Sequence, residues 1–172
     1  AAINPYLSEG KKTVALEIME QLSWQVPDYI AISVGDGCTI AGLWKGLKDL
    51  YAIGFIDRLP RLISAQAEGC CPINRAIAEN KPWEPMEENT LADSIAVGVP
   101  RNADKALTAI RESDGIVVNV SDQEIMAAQQ LLGEALLHPP GDGPAQAARA
   151  GGRLVCLTHQ QPRGGGRVRR AV

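Results

Sequence analysis

An α/β fold with a mostly parallel sheet is predicted by three observations. Three short runs rich in β-branched or apolar residues, 28–34 (DYIAISV), 61–67 (RLISAQA) and 116–120 (IVVNV), have the length and composition of buried strands. The stretches between them carry apolar residues at helical spacing, and such alternation of strands and helices builds layered α/β domains. A length of 172 residues, with 45% apolar and 22% charged, makes one ordinary domain and contains no apolar run near the ~18 residues of a membrane span.

The elements follow in order. Residues 13–22 (TVALEIMEQL) place Val14, Ile18 and Leu22 four apart, an apolar helical stripe that Pro27 closes before the first strand. A Gly-Asp-Gly turn leads into 40–54, where Leu43, Leu47, Leu50 and Ile53 lie at helical spacing. After the second strand, proline opens a helix over 72–80, and 81–89 is a surface loop rich in Pro and Glu. Residues 102–113 form a helix with Asn102 as its expected cap and Ala106, Leu107 and Ile110 on one face. Gly115 ends it, and 116–120 is expected to be another buried strand. Ser121 and Glu124 then have capping-box spacing ahead of Ile125, Ala128 and Leu132.

Composition changes near residue 137. Residues 1–136 carry 11 Lys and Arg against 19 Asp and Glu, whereas 137–172 carry six Arg and only Asp142. The organisation read from this is an α/β domain over 1–136 and an atypical Gly/Pro/Arg-rich tail over 137–172, with one strand near 153–158 (RLVCLT). Two readings of the tail stand: a flexible basic terminus, or an out-of-frame translation of GC-rich DNA. The first residue, Ala rather than Met, is read as a missing native N-terminus. A net charge of −3 argues against a nucleic-acid partner, because a phosphate backbone needs a concentrated basic footprint. Cys38, Cys70, Cys71 and Cys156 have neither C-x-x-C spacing nor histidine partners, so no metal site is expected. Reduced thiols and the absence of a charged-then-apolar leader point to the cytoplasm, and no membrane partner is expected.

The turn within 31–42 (AISVGDGCTIAG) is the strongest candidate site. A dinucleotide fingerprint needs glycine where Ile40 stands, and a Walker loop needs lysine where Leu43 stands. What remains is a short strand-to-helix turn that exposes backbone N–H groups at a helix N-terminus, with Thr39 adding a hydroxyl; it suits a monophosphate better than a pyrophosphate. Spacing alone leaves open whether it binds an anion or merely turns the chain.

The flanking blocks NPYLSEGKKTVALEIMEQLSWQVPDYI, VGDGCTIAGLWKGLKDLYAIGFIDRLPRLISAQAEGCCPI, ADSIAVGVPRN and VSDQEI resemble the C-terminal half of threonine synthase. That family belongs to the fold type II pyridoxal-phosphate (PLP) enzymes, and the resemblance runs from Asn4 to about Leu132. It implies the large domain of that fold, incomplete in this chain, and PLP as cofactor. The family's phosphate loop, commonly Gly-Asn-Gly-Gly-Asn, falls on Gly35, Asp36, Gly37, Cys38 and Thr39, with Asp36 in place of Asn and Cys38 in place of Gly. Asp36 is expected to point away from the phosphate, and Cys38 to fit if its φ is negative. Leu157-Thr158 resembles the segment that sets a hydroxyl against the PLP ring nitrogen, while an ordinary strand threonine is an equal reading.

The resemblance also implies what this chain lacks. The Schiff-base lysine of the family lies in an N-terminal Ser-Phe-Lys-Asp type segment, so no catalytic residue is assigned here and the chain alone is expected to be inactive. Lys11, Lys12, Lys45, Lys48, Lys81 and Lys105 read as solvated or helix-flanking charges, and His138 and His159 form no acid–base pair. Glu68, after the second strand, is read slightly in favour of a helix cap over a cofactor contact, and Asp93-Ser94 as a loop near substrate. The implied reaction converts O-phosphohomoserine, a phosphorylated amino acid, and water to threonine and phosphate. A serine/threonine dehydratase-like enzyme is the alternative within the fold; a non-catalytic phosphate-binding or assembly module is the alternative outside it. A homo-oligomer is compatible with all three.

Overall fold

Residues 4–137 and 154–157 are described in the computed structural model. Among them, strands β1 (Tyr29–Ser33), β2 (Arg61–Ala67), β3 (Ile116–Val120) and β4 (Leu154–Leu157) pair in parallel in the order β3-β2-β1-β4. The helices are α1 (Pro5–Gly10), α2 (Thr13–Gln21), α3 (Cys38–Ala52), α4 (Pro72–Glu79), α5 (Ala103–Glu112) and α6 (Asp122–Leu137), and a 3-10 turn spans Asp93–Ile95. The expected alternation and the parallel sheet are both present. The strand expected over 153–158 is β4, which ends one residue short of Thr158.

Burial alternates along β1 and β2, so one face of the sheet carries the core. Ile30, Ile32 and Leu62 meet Ile18 and Met19 of α2, Leu43 and Leu47 of α3, Ile73 of α4 and Ile110 of α5 in one apolar cluster. The opposite face is different. The register aligns Ala31, Ile63 and Ile116 in one row and Ser33, Ala65 and Val118 in the next. Ile116 and Val118 are 39% and 42% exposed. The expectation of a buried β3 is therefore corrected: β3 is an edge strand with one face half-open among the described residues. A parallel sheet normally has both faces covered.

Two further local outcomes matter for the site. Helix α1, six residues without an apolar stripe, escapes a reading by periodicity; it starts because Asn4 accepts the Tyr6 N–H at 3.0 Å and Pro5 takes the first turn. Helix α3 then packs unusually close to α1 and α2. A Cβ on Gly42 would lie 2.4 Å from Lys11 Cβ, and one on Gly46 2.8 Å from Ala15 Cβ. Glycines one turn apart thus admit the preceding helices and fix the axis of α3, including its N-terminus. The capping box at α6 forms as expected, with Ser121 N–H donating to Glu124 at 2.9 Å and Glu124 N–H donating to the Ser121 hydroxyl at 3.3 Å.

The strand order also locates a crevice. From β1 the chain crosses to β2 on one side, whereas β4 lies on the other side of β1, so the winding direction reverses between β1 and β4. In open parallel sheets ligands bind at such a reversal, beyond the carboxyl ends of the strands. The loop of residues 34–37 leaves β1 at that position and leads into α3.

Candidate phosphate-binding site

Gly37 occupies the N-cap position of α3 with φ +85°, in the left-handed region that glycine tolerates. No side chain caps the helix, and its first turn contains no acidic residue. The first amides of a helix have no intrahelical acceptor, so a 15-residue helix presents donors and the positive end of its dipole beyond β1. Cys38 lies in the right-handed helical region, which meets the condition for a side chain at that position.

Asp36 is drawn aside. Its Oδ1 accepts the Arg101 N–H at 2.6 Å, and its carbonyl oxygen accepts the Asn102 N–H at 3.0 Å. Its other oxygen, Oδ2, lies 4.0 Å from the Cys38 sulfur. The Cys38 thiol in turn receives the Asn102 Nδ2 donor at 3.0 Å. Burial, aided by the Asp36 carboxylate, pushes the Cys38 thiol above its ordinary range, while Lys11 and Lys105 act in the opposite sense. At neutral pH a thiol rather than a thiolate therefore stands in the first turn, adding no negative charge beside the amides.

Several other residues are placed differently from their sequence reading. Asn102 does not cap α5 with its side chain, because that side chain is turned to Cys38. Glu68 does not cap α4: its side chain is exposed, and its backbone carbonyl accepts from the Cys71 thiol at 3.5 Å. Lys12 is held by Glu9 and Asp49, each at 2.9 Å, and Lys45 also pairs with Glu9. Lys48 pairs with Glu112 at 2.7 Å. The 3-10 turn containing Asp93 and Ser94 does approach the loop, through its backbone. Ile95 Cα would be 3.1 Å from a Cβ on Gly35. Thr158, His138 and His159 lie outside the described residues.

Sequence reasoning missed the polar network beside the loop. Asn74, fully buried on α4, accepts the Ser64 hydroxyl at 2.6 Å and donates to the Val118 carbonyl and to Asn119 Oδ1, both at 2.9 Å. Gln66 accepts the Asn74 N–H at 2.8 Å and donates to the Val34 carbonyl at 3.1 Å. The carboxyl ends of β1, β2 and β3 are thereby locked together directly under the loop. The signal available was the run of polar residues in otherwise apolar strands, Ser64, Gln66 and Asn119.

A phosphate group fits the residues present: converging helix amides, a hydroxyl on Thr39, a neutral thiol, and a carboxylate already engaged elsewhere. No group of three His, Cys, Asp or Glu side chains suited to a metal occurs among the described residues. Fold and site thus define a parallel α/β protein with an anion cradle at its switch point. The chain belongs to the family described as Pyridoxal-phosphate dependent enzyme, which matches residues 1–154, and members of that family depend on PLP.

The similar proteins narrow the class. The chain is 46% identical to threonine synthase of Methanosarcina acetivorans over 153 residues, 88% of this chain and 37% of that one. Against threonine synthase of Methanocaldococcus jannaschii identity is 44%, over 76% of this chain and 33% of the relative. The chain thus spans about a third of the length of these relatives. Among solved structures, maize serine racemase superposes with a TM-score of 0.61 at 26% identity, covering 77% of this chain and 38% of that chain. A bacterial-type threonine deaminase superposes with a TM-score of 0.62 at 20% identity, covering 90% and 57%, and supports the fold alone.

Proposed function

We propose that residues 35–39 hold the phosphate of PLP, and that this chain forms the phosphate-binding part of a threonine synthase that converts O-phosphohomoserine and water to threonine and phosphate. The observation that carries the reading is the uncapped N-terminus of α3 at the switch point of the sheet, with the Asp36 carboxylate withdrawn to the Arg101 amide. Threonine synthases at 44% and 46% identity supply the choice of reaction. Bound PLP acts as an electron sink for substrate carbanions. The chain's own residues bind its phosphate through backbone amides of the α3 first turn, with Thr39 adding a hydroxyl donor.

The half-open face bearing Ile63, Ile116 and Val118 is the surface that the remainder of a relative-length polypeptide covers in this proposal. That remainder contributes the lysine, so the chain alone is inactive. Free thiols at Cys38, Cys70 and Cys71 accord with a cytoplasmic setting, and among the described residues no helix is long and apolar enough to cross a membrane.

Calorimetric titration of the 172-residue chain with pyridoxine 5′-phosphate, which lacks the aldehyde and so cannot form lysine adducts, tests the cradle. A Gly37→Asp variant is expected to lose most of the affinity, because a carboxylate and a strained φ enter the loop together. Equal affinity in the two proteins overturns the assignment. Joined with a polypeptide carrying the lysine segment, the protein is expected to release phosphate from O-phosphohomoserine; ammonia release from threonine without phosphate release favours the dehydratase instead.

A further inference from the structure

Four successive residues of the loop touch one other segment, 95–102. Gly35 packs on Ile95 and Val97: a Cβ there would lie 3.1 Å from Ile95 Cα and 3.2 Å from Val97 Cγ2. Asp36 is bonded through its side chain to the Arg101 amide and through its carbonyl to the Asn102 amide. Gly37 lies against the Asn102 carbonyl, which a Cβ would approach to 2.8 Å, and Cys38 receives the Asn102 side chain.

Asn102 alone meets three of the four, and it is 5% exposed. It stands at the N-cap of α5, where a side-chain bond to the helix amides is worth ~1 kcal/mol, yet no such bond is made. A buried residue that gives up its local hydrogen bond for a contact 64 residues away, at a candidate binding loop, has the mark of a functional compromise.

We infer that Asn102 is a positioning residue for the phosphate loop: its Nδ2 donor to the Cys38 sulfur, with its amide and carbonyl against Asp36 and Gly37, sets the first turn of α3 in the shape that binds the anion. The inference rests on the reading of residues 35–39 as a phosphate cradle. It makes Cys38 a partner of Asn102: the side chain at the position where the family commonly has glycine is the acceptor that holds Asn102 in place.

The test is a double-mutant cycle on the 172-residue chain, with pyridoxine 5′-phosphate and inorganic phosphate as probes. Asn102→Ala and Cys38→Ala are each expected to weaken both probes about fivefold, the range of one lost neutral hydrogen bond, and the double variant is expected to be no weaker than either single. Lys48→Ala, which removes the exposed tie to Glu112 between the same two helices, is the control and is expected to stay within twofold of wild type. Losses that simply multiply in the double variant, or single variants within twofold of wild type, overturn the inference. If Asn102→Ala does not fold, Cys38→Ala decides alone on the same fivefold and twofold limits. A wild-type chain that binds neither probe overturns the cradle reading itself, a result distinct from intact wild-type binding with indifferent variants.

Discussion

Replacing Gly37 by Ala separates two physical effects that the structure combines at one position. Its φ of +85° places any L side chain in the left-handed region, at a cost of about 1–2 kcal/mol. The added Cβ would also stand 2.8 Å from the Asn102 carbonyl oxygen and 3.0 Å from Ala106 Cβ, contacts that force the α5 start to shift and cost about 1–3 kcal/mol more, as is typical of overpacking. Gly54 supplies the internal control. Its φ is +79°, and nothing lies within 4 Å of its would-be Cβ, so Gly54→Ala carries the backbone strain alone. In urea unfolding with an m-value of about 2 kcal/mol/M, the packing contribution moves the Gly37→Ala midpoint about 0.5–1.5 M below that of Gly54→Ala. Equal midpoints for the two variants refute the close packing of the loop against residue 102.

Three other predictions are open to the same equilibrium measurements. Gly42→Ala is expected to destabilise by about 1–3 kcal/mol in urea although alanine favours a helix, because the 2.4 Å approach to Lys11 Cβ outweighs propensity; a stabilised variant contradicts the tight α1–α3 packing. Asn74→Ala leaves Ser64, Gln66 and Val118 without their shared partner and is expected to lower stability by about 2–3 kcal/mol, read as a shift of the urea midpoint at unchanged m-value. The Glu9 carboxyl is held down to about 2, from an ordinary 4.5, by hydrogen bonds from Lys45 and then Lys12. Its contribution is therefore complete above the ordinary value of 4.5 and is lost as the pH falls toward about 2, so wild type and Glu9→Gln should converge in stability over that interval. The pair is solvent-exposed, so the difference between the two proteins at neutral pH should be small and should shrink in high salt.

Much of the fold was legible because each element carries its own period. The boundaries of β2 and β3 match their apolar runs, and α2 to α5 follow their stripes and caps within one or two residues. Periodicity failed where local pattern and tertiary placement diverge. Helix α1 is held by Asn4 and Pro5 rather than by an apolar face, and β3 has the composition of a central strand but stands at an edge with Ile116 and Val118 half-open.

The loop itself was legible as a turn that can bind an anion, since glycines before an apolar helix are a local signal. Its bracing was not. The contacts of Asp36 with Arg101 and of Cys38 with Asn102 join residues more than sixty positions apart, and the sequence near Asn102 points to the cap that a local reading assigns. The same holds for Gly42, whose role depends on Lys11 and Ser8 packing against it. Nothing in the local pattern distinguishes it from an incidental helical glycine.

The central claim is that the α3 first turn holds the cofactor phosphate, and backbone amide NMR of the chain titrated with pyridoxine 5′-phosphate tests it most directly. Saturable shifts concentrated on the amides of Gly35 to Ile40, reproduced by inorganic phosphate with a smaller affinity, are the predicted result. Shifts absent from those amides, or largest at another helix start such as that of α4 near Ile73, contradict it.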